Sequence, residues 1–328
     1  MKIIFAFFAV VIMTTCNLRC KVEEKFIEKP INELSSLKSK IIYETFDNDS
    51  FDLCIINADG TGKKKITDTP DIHEMYPKVS PDGKIISYVE DTGTGRDRKR
   101  DLYIMNLDGS GKKLISRDSR EQCWSPDGRY IAFVKSESSR RFSIDSWSTK
   151  GLFFYDMNTG DISEHQNKSL EHLYALAWSP DGKYITATVL GGMGFRHTNI
   201  AVEFNGSRFI LLNVIGCRPE FSPDGKMIGW GRADNQFNIA KIDLSKPVPV
   251  ADKDKINFLQ VDKGRKIYHL DWSHDGKYIA FSSGPMEGEQ HVGGTAKDWN
   301  IYIVDIETKK WHPVTIDGNQ NKEPDWIR

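Results

Sequence analysis

The chain has 328 residues, 39% of them hydrophobic and 28% charged, and this balance describes a globular protein with a sizeable core rather than a disordered or fibrous one. Its formal net charge of −1 gives no global electrostatic case for binding nucleic acid or an anionic membrane. Five cysteines, with no Cys-x-x-Cys pair and no His-Glu-x-x-His motif, supply neither a disulfide framework nor a standard zinc site. Cys54, Cys123 and Cys217 fall in separate expected strands and read as small buried hydrophobes. No metal and no cofactor are expected.

In chain order, Met1-Lys2 is a short positive start, Ile3 to Met13 is apolar, and Thr14-Thr15-Cys16 follows. That is the pattern of a secretory signal peptide, expected over residues 1–20, and the apolar run is too short to span a bilayer. Cys16 stands where bacterial lipoproteins carry their lipidated cysteine. Cleavage by the ordinary signal peptidase is the alternative. Residues 21–40 are charged and lack strand alternation, so they read as a linker with a short helix around Ile31 to Leu37.

From residue 41 the chain is a repeat. Trp124-Ser125-Pro126-Asp127-Gly128-Arg129-Tyr130-Ile131 recurs around Val79-Ser80-Pro81-Asp82-Gly83, Trp178-Ser179-Pro180-Asp181-Gly182, Phe221-Ser222-Pro223-Asp224-Gly225 and Trp272-Ser273-His274-Asp275-Gly276. Pro presets φ for a type I turn, Asp caps its own backbone, and Gly supplies the left-handed residue that returns the chain. A run such as Tyr-Ile-Ala-Phe then suits a buried strand. Each unit has a second half, for example Asp101-Leu102-Tyr103-Ile104-Met105-Asn106-Leu107-Asp108-Gly109, that reads as strand, Asp-Gly turn and strand. Copies at this spacing point to a propeller or solenoid. There are six second halves but five complete first halves. The missing lead-in is found at the other end, in Glu323-Pro324-Asp325-Trp326-Ile327-Arg328. The expectation is an all-β, six-bladed propeller over residues 41–328, with four antiparallel strands per blade, closed when the C-terminal strand completes the first blade. Closure removes two exposed sheet edges.

The phrase Trp-Ser-Pro-Asp-Gly-Lys-Tyr-Ile, followed by Asp-Leu-Tyr-Ile-Met-Asn-x-Asp-Gly-Ser-Gly, resembles the TolB-type propeller repeat across residues 41–328. The resemblance implies a bacterial exported protein of the periplasm or outer membrane, expected here without the N-terminal α/β domain that TolB adds. Similar repeats also build propellers of prolyl-oligopeptidase-like peptidases and of polysaccharide lyases, so fold does not fix function.

Two candidate sites follow. Three residues before the Trp/Val/Phe position lie Tyr76, Glu121, Ala175, Arg218, His269 and Glu323. Sixfold symmetry would place them in a ring at the mouth of the central channel, where a mixed polar set would bind a ligand. Ordinary pairing of polar groups in a watery channel is the alternative. The second site is the face carrying the long loops, with Arg196, His197 and His291 as binding residues and basic or aromatic stretches at Arg96 to Arg100, Arg140-Arg141-Phe142 and Trp147. Neutral variation at tolerant loop tips is the alternative there. The expected function is a non-enzymatic, monomeric binding module of the cell envelope whose partner is a protein or a glycan. It would meet the membrane only through an N-terminal lipid. The alternative is an enzyme acting on anionic polysaccharide, such as a lyase, with His197 and Arg196 or His269 and Arg218 as base and charge neutraliser. A peptidase is not expected, because no Gly-x-Ser-x-Gly elbow is present. Nor is a hydrolase domain expected after the propeller.

Overall fold

The computed structural model describes residues 34, 38–47, 49–93, 98–137, 148–243, 257–286 and 296–328. The expected signal peptide, Cys16, nearly all of the linker, His291, Arg96 and Asp97, and residues 140–147 lie outside these.

Six four-stranded antiparallel sheets form six blades. In blades 2 to 6 the first strand of each repeat is innermost: His73–Val79, Ser119–Trp124, Leu173–Trp178, Cys217–Phe221 and Arg265–Trp272. Blade 1 takes its innermost strand, Gln320–Ile327, from the C-terminus, and this pairs antiparallel with Lys40–Asp47, Trp326 opposite Ile41. The ring is therefore closed as the repeat count implied.

The turns follow their residues. In each Ser-x-Asp-Gly turn the Ser hydroxyl donates to the Asp Oδ1 at 2.6–2.8 Å, and the Gly N–H donates to the Ser carbonyl at 2.8–2.9 Å. The Gly φ values, such as +74° at Gly83, are those the turn requires. His274 occupies the Pro position of one copy without changing the pattern.

Apolar side chains gather between blades. Six clusters fill the six interfaces in turn: Leu102, Trp124 and Phe133 bridge blades 2 and 3, and Leu152, Phe154 and Trp178 bridge blades 3 and 4. Between blades 6 and 1 the cluster contains Ile301, Ile303, Ile41, Tyr43 and Trp326, together with Leu34 from the stretch read as linker. The last interface is thus packed like the others. Trp326 Nε1 also donates to the Asp271 carbonyl at 3.2 Å, as Trp124 Nε1 does to Lys78 at 3.0 Å. Cys54, Cys123 and Cys217 are free thiols, the first two buried and Cys217 partly exposed.

Candidate functional site: the axial cavity

Each innermost strand carries a β-bulge at the same place. Pairing with the second strand shifts between Met75 and Lys78, Arg120 and Cys123, Tyr174 and Ala177, Cys217 and Glu220, and Tyr268 and Asp271. In blade 1 the shift falls between Ile42 and Glu44, opposite Asp325 and Lys322. The bulged residue is Tyr76, Glu121, Ala175, Arg218, His269 or Glu323, and all six have left-handed φ between +51° and +58°. These are the six residues that repeat alignment put in a ring. None is glycine, so each costs about 1 kcal/mol or more in backbone strain.

Neighbouring blades hold this geometry. The Tyr76 N–H donates to Glu44 Oε2 at 2.8 Å, the Ala175 N–H to Glu121 Oε2 at 2.7 Å, and the Arg218 N–H to Thr188 Oγ1 at 2.8 Å. Glu44 and Thr188 stand at equivalent places in the second strands of blades 1 and 4. In each case an acceptor on one blade fixes the bulge of the next.

The six residues line one cavity of about 460 Å³ on the propeller axis. Around it, His269 Nε2 lies 2.9 Å and Arg218 Nη1 3.7 Å from Glu323 Oε1. Burial would raise the Glu323 carboxyl, but His269 and Arg218 outweigh it and hold it below the usual carboxylate range. Burial lowers the His269 ring below its ordinary value. At neutral pH the pair is a neutral imidazole beside a carboxylate. The Arg218 guanidinium also lies 5.9 Å and 6.0 Å from the Tyr174 and Tyr268 ring centroids. Burial, reinforced by Glu323, pushes the Glu44 carboxyl up to about 8.

The repeat alignment did not single out the residues that flank the ring. One residue earlier stand Arg120, Tyr174, Tyr268 and Lys322, all lining the cavity. Two residues later stand Lys78, Glu220, Asp271 and Asp325. Lys78 Nζ is 2.9 Å from Asp325 Oδ1. Asp325 and Asp271 accept the Val79 and Trp326 N–H groups at 2.7 and 2.8 Å. Burial alone would lower the Lys78 ammonium; Asp325, Asp271 and Glu220 outweigh it and raise it. Burial pushes Glu220 up to about 7 and Asp271 well above its ordinary value. Aligning the same repeat one step back and two steps on would have found both sets. Simple strand alternation would have rejected the first set, because consecutive residues should face opposite ways; the bulge breaks that rule.

The cavity is lined by both signs of charge: Lys78, Arg100, Arg120, Arg218, Lys266 and Lys322 alongside Glu44, Glu121, Glu220, Asp234 and Glu323. Lys78 is matched by Asp325, and Arg98 and Arg100 share one carboxylate, Asp91, at 2.8 and 2.6 Å. Around Arg98, Arg100 and Arg120 the cations outnumber Asp91 and Glu121, and that sector suits a ligand group with negative charge. No group of three or more His, Cys, Asp or Glu is arranged to hold a metal ion among the described residues.

The second candidate site is less assembled. Arg196 is exposed, and exposed His197 lies 3.3 Å from the Tyr174 hydroxyl. His197 also borders a second cavity of about 150 Å³ that shares Cys217, Arg218, Tyr268 and His269 with the axial one. Part of the expected loop face therefore adjoins the ring.

No family model matches the chain. A curated relative, the uncharacterized peptidase YuxL of Bacillus subtilis, is 23% identical over 253 residues, 74% of this chain. The chain spans about a third of that relative's length, 34%. TolB from Acinetobacter baumannii is similar in structure at a TM-score of 0.64 and 18% identity, covering 88% of this chain and 66% of TolB. A putative TolB from Agrobacterium tumefaciens gives 0.56 and 16%, covering 87% of this chain and 91% of its own. A chain of a nidogen/laminin complex gives 0.59 and 10%, covering 88% and 98%. The chain thus has the TolB-type six-bladed propeller fold.

Proposed function

We propose that this protein is a non-enzymatic binding module of the bacterial cell envelope that receives a segment of a partner protein at the mouth of its axial cavity. The observation that carries the reading is the ring of six strained, non-glycine bulges around a charged, open cavity. Strain of this kind is retained where the surrounding structure enforces it, and such places cluster at binding sites. Ile215 and Ile316, 81% and 82% exposed, lie on the connections that lead into the innermost, cavity-lining strands of blades 5 and 1. Exposed apolar side chains on connections into cavity-lining strands offer a docking protein its anchors. The TolB-like fold supports an interaction module, and the N-terminal apolar run supports export to the periplasm, with or without lipid on Cys16. His269 Nε2 lies 2.9 Å from Glu323 Oε1, a buried placement that leaves it little room to meet a substrate proton and weighs against its use as the base of a lyase.

The test is capture from the native envelope with the full chain as bait. Wild type and Lys226→Glu, on the opposite face, should retain the same partner. Ile215→Asp/Ile316→Asp should lose it. Equal capture by the rim variant would refute the reading. So would release of unsaturated products from uronate polymers that His269→Ala abolishes.

A further inference from the structure

Two of the orphaned polar atoms on residues lining the axial cavity stand on either side of the Glu121 bulge. Arg120 is 3% exposed, and its Nε has no hydrogen-bond partner. Among the described residues no carboxylate forms an ion pair with its guanidinium. The Glu121 carboxylate beside it is engaged by the Ala175 N–H. Gln122 is also 3% exposed. Its Nε2 donates to the Tyr76 carbonyl and, at 3.4 Å, to the Ser87 carbonyl, which fixes the amide orientation. That leaves Gln122 Oε1 buried without a donor. Both side chains line the cavity.

Leaving such atoms unpaired is costly. A buried donor or acceptor without a partner forfeits its hydration with nothing in return, and the loss is greater when the group is charged. The surroundings make Arg120 worse off. Burial and the nearby Arg100 guanidinium push it down to about 10, against the pull of Glu121. Arg100 and Arg98 are themselves held by the single Asp91. This sector therefore has an unbalanced positive field, a planar guanidinium fork without an acceptor, and a carbonyl oxygen without a donor.

We propose that Arg120 and Gln122 form a subsite for one acidic residue of a bound polypeptide: the guanidinium takes the side-chain carboxylate, and Gln122 Oε1 accepts an N–H of the same residue. The inference rests on the mouth of the cavity being the docking surface and adds which chemistry enters it. A guanidinium matches a carboxylate in a planar, charge-assisted pair. The amide acceptor beside it favours an acidic amino acid over a simple anion. The cavity of about 460 Å³ has room for a few side chains.

The experiment measures binding of N-acetyl-L-glutamate to the purified protein by calorimetry, beside three probes: glutarate, which lacks the N–H; N-acetyl-L-glutamine, which lacks the side-chain carboxylate; and D-galacturonate. Wild type and Lys84→Gln, on the opposite face, should bind N-acetyl-L-glutamate equally and N-acetyl-L-glutamine about ten-fold more weakly or not at all. Arg120→Gln should lose about ten-fold or more in N-acetyl-L-glutamate affinity. Gln122→Leu should weaken N-acetyl-L-glutamate but leave glutarate unchanged. If Arg120→Gln does not fold, Arg120→Lys, which keeps the charge without the fork, should still bind several-fold more weakly. Absence of N-acetyl-L-glutamate binding to wild type, or binding that none of the Arg120 and Gln122 variants changes, would overturn the subsite. Binding of D-galacturonate in preference to N-acetyl-L-glutamate would overturn the peptide assignment in favour of an acidic glycan. Envelope capture that survives in wild type while these probes fail would leave the docking reading standing and remove only this subsite.

Discussion

Replacing Trp326 with alanine tests ring closure where it is most concentrated. The indole is 3% exposed and packs in the cluster between blades 6 and 1 with Ile41, Tyr43, Ile301 and Ile303. Removing it leaves a cavity at that interface, at about 3–5 kcal/mol for a buried Trp→Ala change. It also leaves the Asp271 carbonyl without its 3.2 Å donor, a further loss of about 1 kcal/mol. For a domain of this size, each kcal/mol lowers Tm by about 2 °C, so Trp326→Ala should melt about 8–12 °C below wild type. Thermal unfolding followed by circular dichroism measures it, with Ile316→Ala as the exposed control, expected within about 2 °C of wild type. A Trp326→Ala protein that melts with the control would refute the closing role of the C-terminal strand.

The ring's strain and its buried acids give two more tests. Ala175→Gly should raise stability by up to about 1 kcal/mol, because glycine accepts the +52° φ that alanine resists; an unchanged or lower denaturation midpoint in urea would count against stored strain. The Glu44 carboxyl is raised when folded, so its stabilising contribution is full below about pH 4.5 and is lost as pH rises through about 8. The Tyr76 N–H, Lys322 and Arg218 offset part of the burial, so the loss should be a few kcal/mol at most, on the scale of about 1.4 kcal/mol per pH unit. Between pH 5 and 9, Glu44→Gln should flatten part of the decline in Tm that wild type shows; a parallel decline in both proteins would contradict a raised Glu44.

The repeated Ser-Pro-Asp-Gly phrase was enough to count blades, and the stray Glu323-Pro324-Asp325-Trp326 was enough to close them. The same alignment located the six ring residues, since symmetry converts equal positions in the repeat into equal radii around one axis. It did not show why those positions matter. A left-handed residue other than glycine leaves no mark in sequence, and the bulge it creates turns Arg120 and Tyr268 into the cavity where period-two alternation would turn them away. Glu44 was invisible for another reason: it reaches the ring from a second strand, through a hydrogen bond between blades that no single repeat contains. Of the loop-face residues, Arg100 lines the axial cavity and His197 borders the smaller one beside it, Arg196 is exposed, and His291 lies outside the described residues.

Site-specific photo-crosslinking in the native host is the most direct test of where this protein is engaged. A photoreactive residue at Ile316, on the connection into the innermost strand of blade 1, should yield a discrete crosslinked species that the same residue at Lys226, in a turn at the other end of the innermost strands, does not. Crosslinks from Lys226 with none from Ile316 would contradict the assignment of the axial mouth as the binding surface.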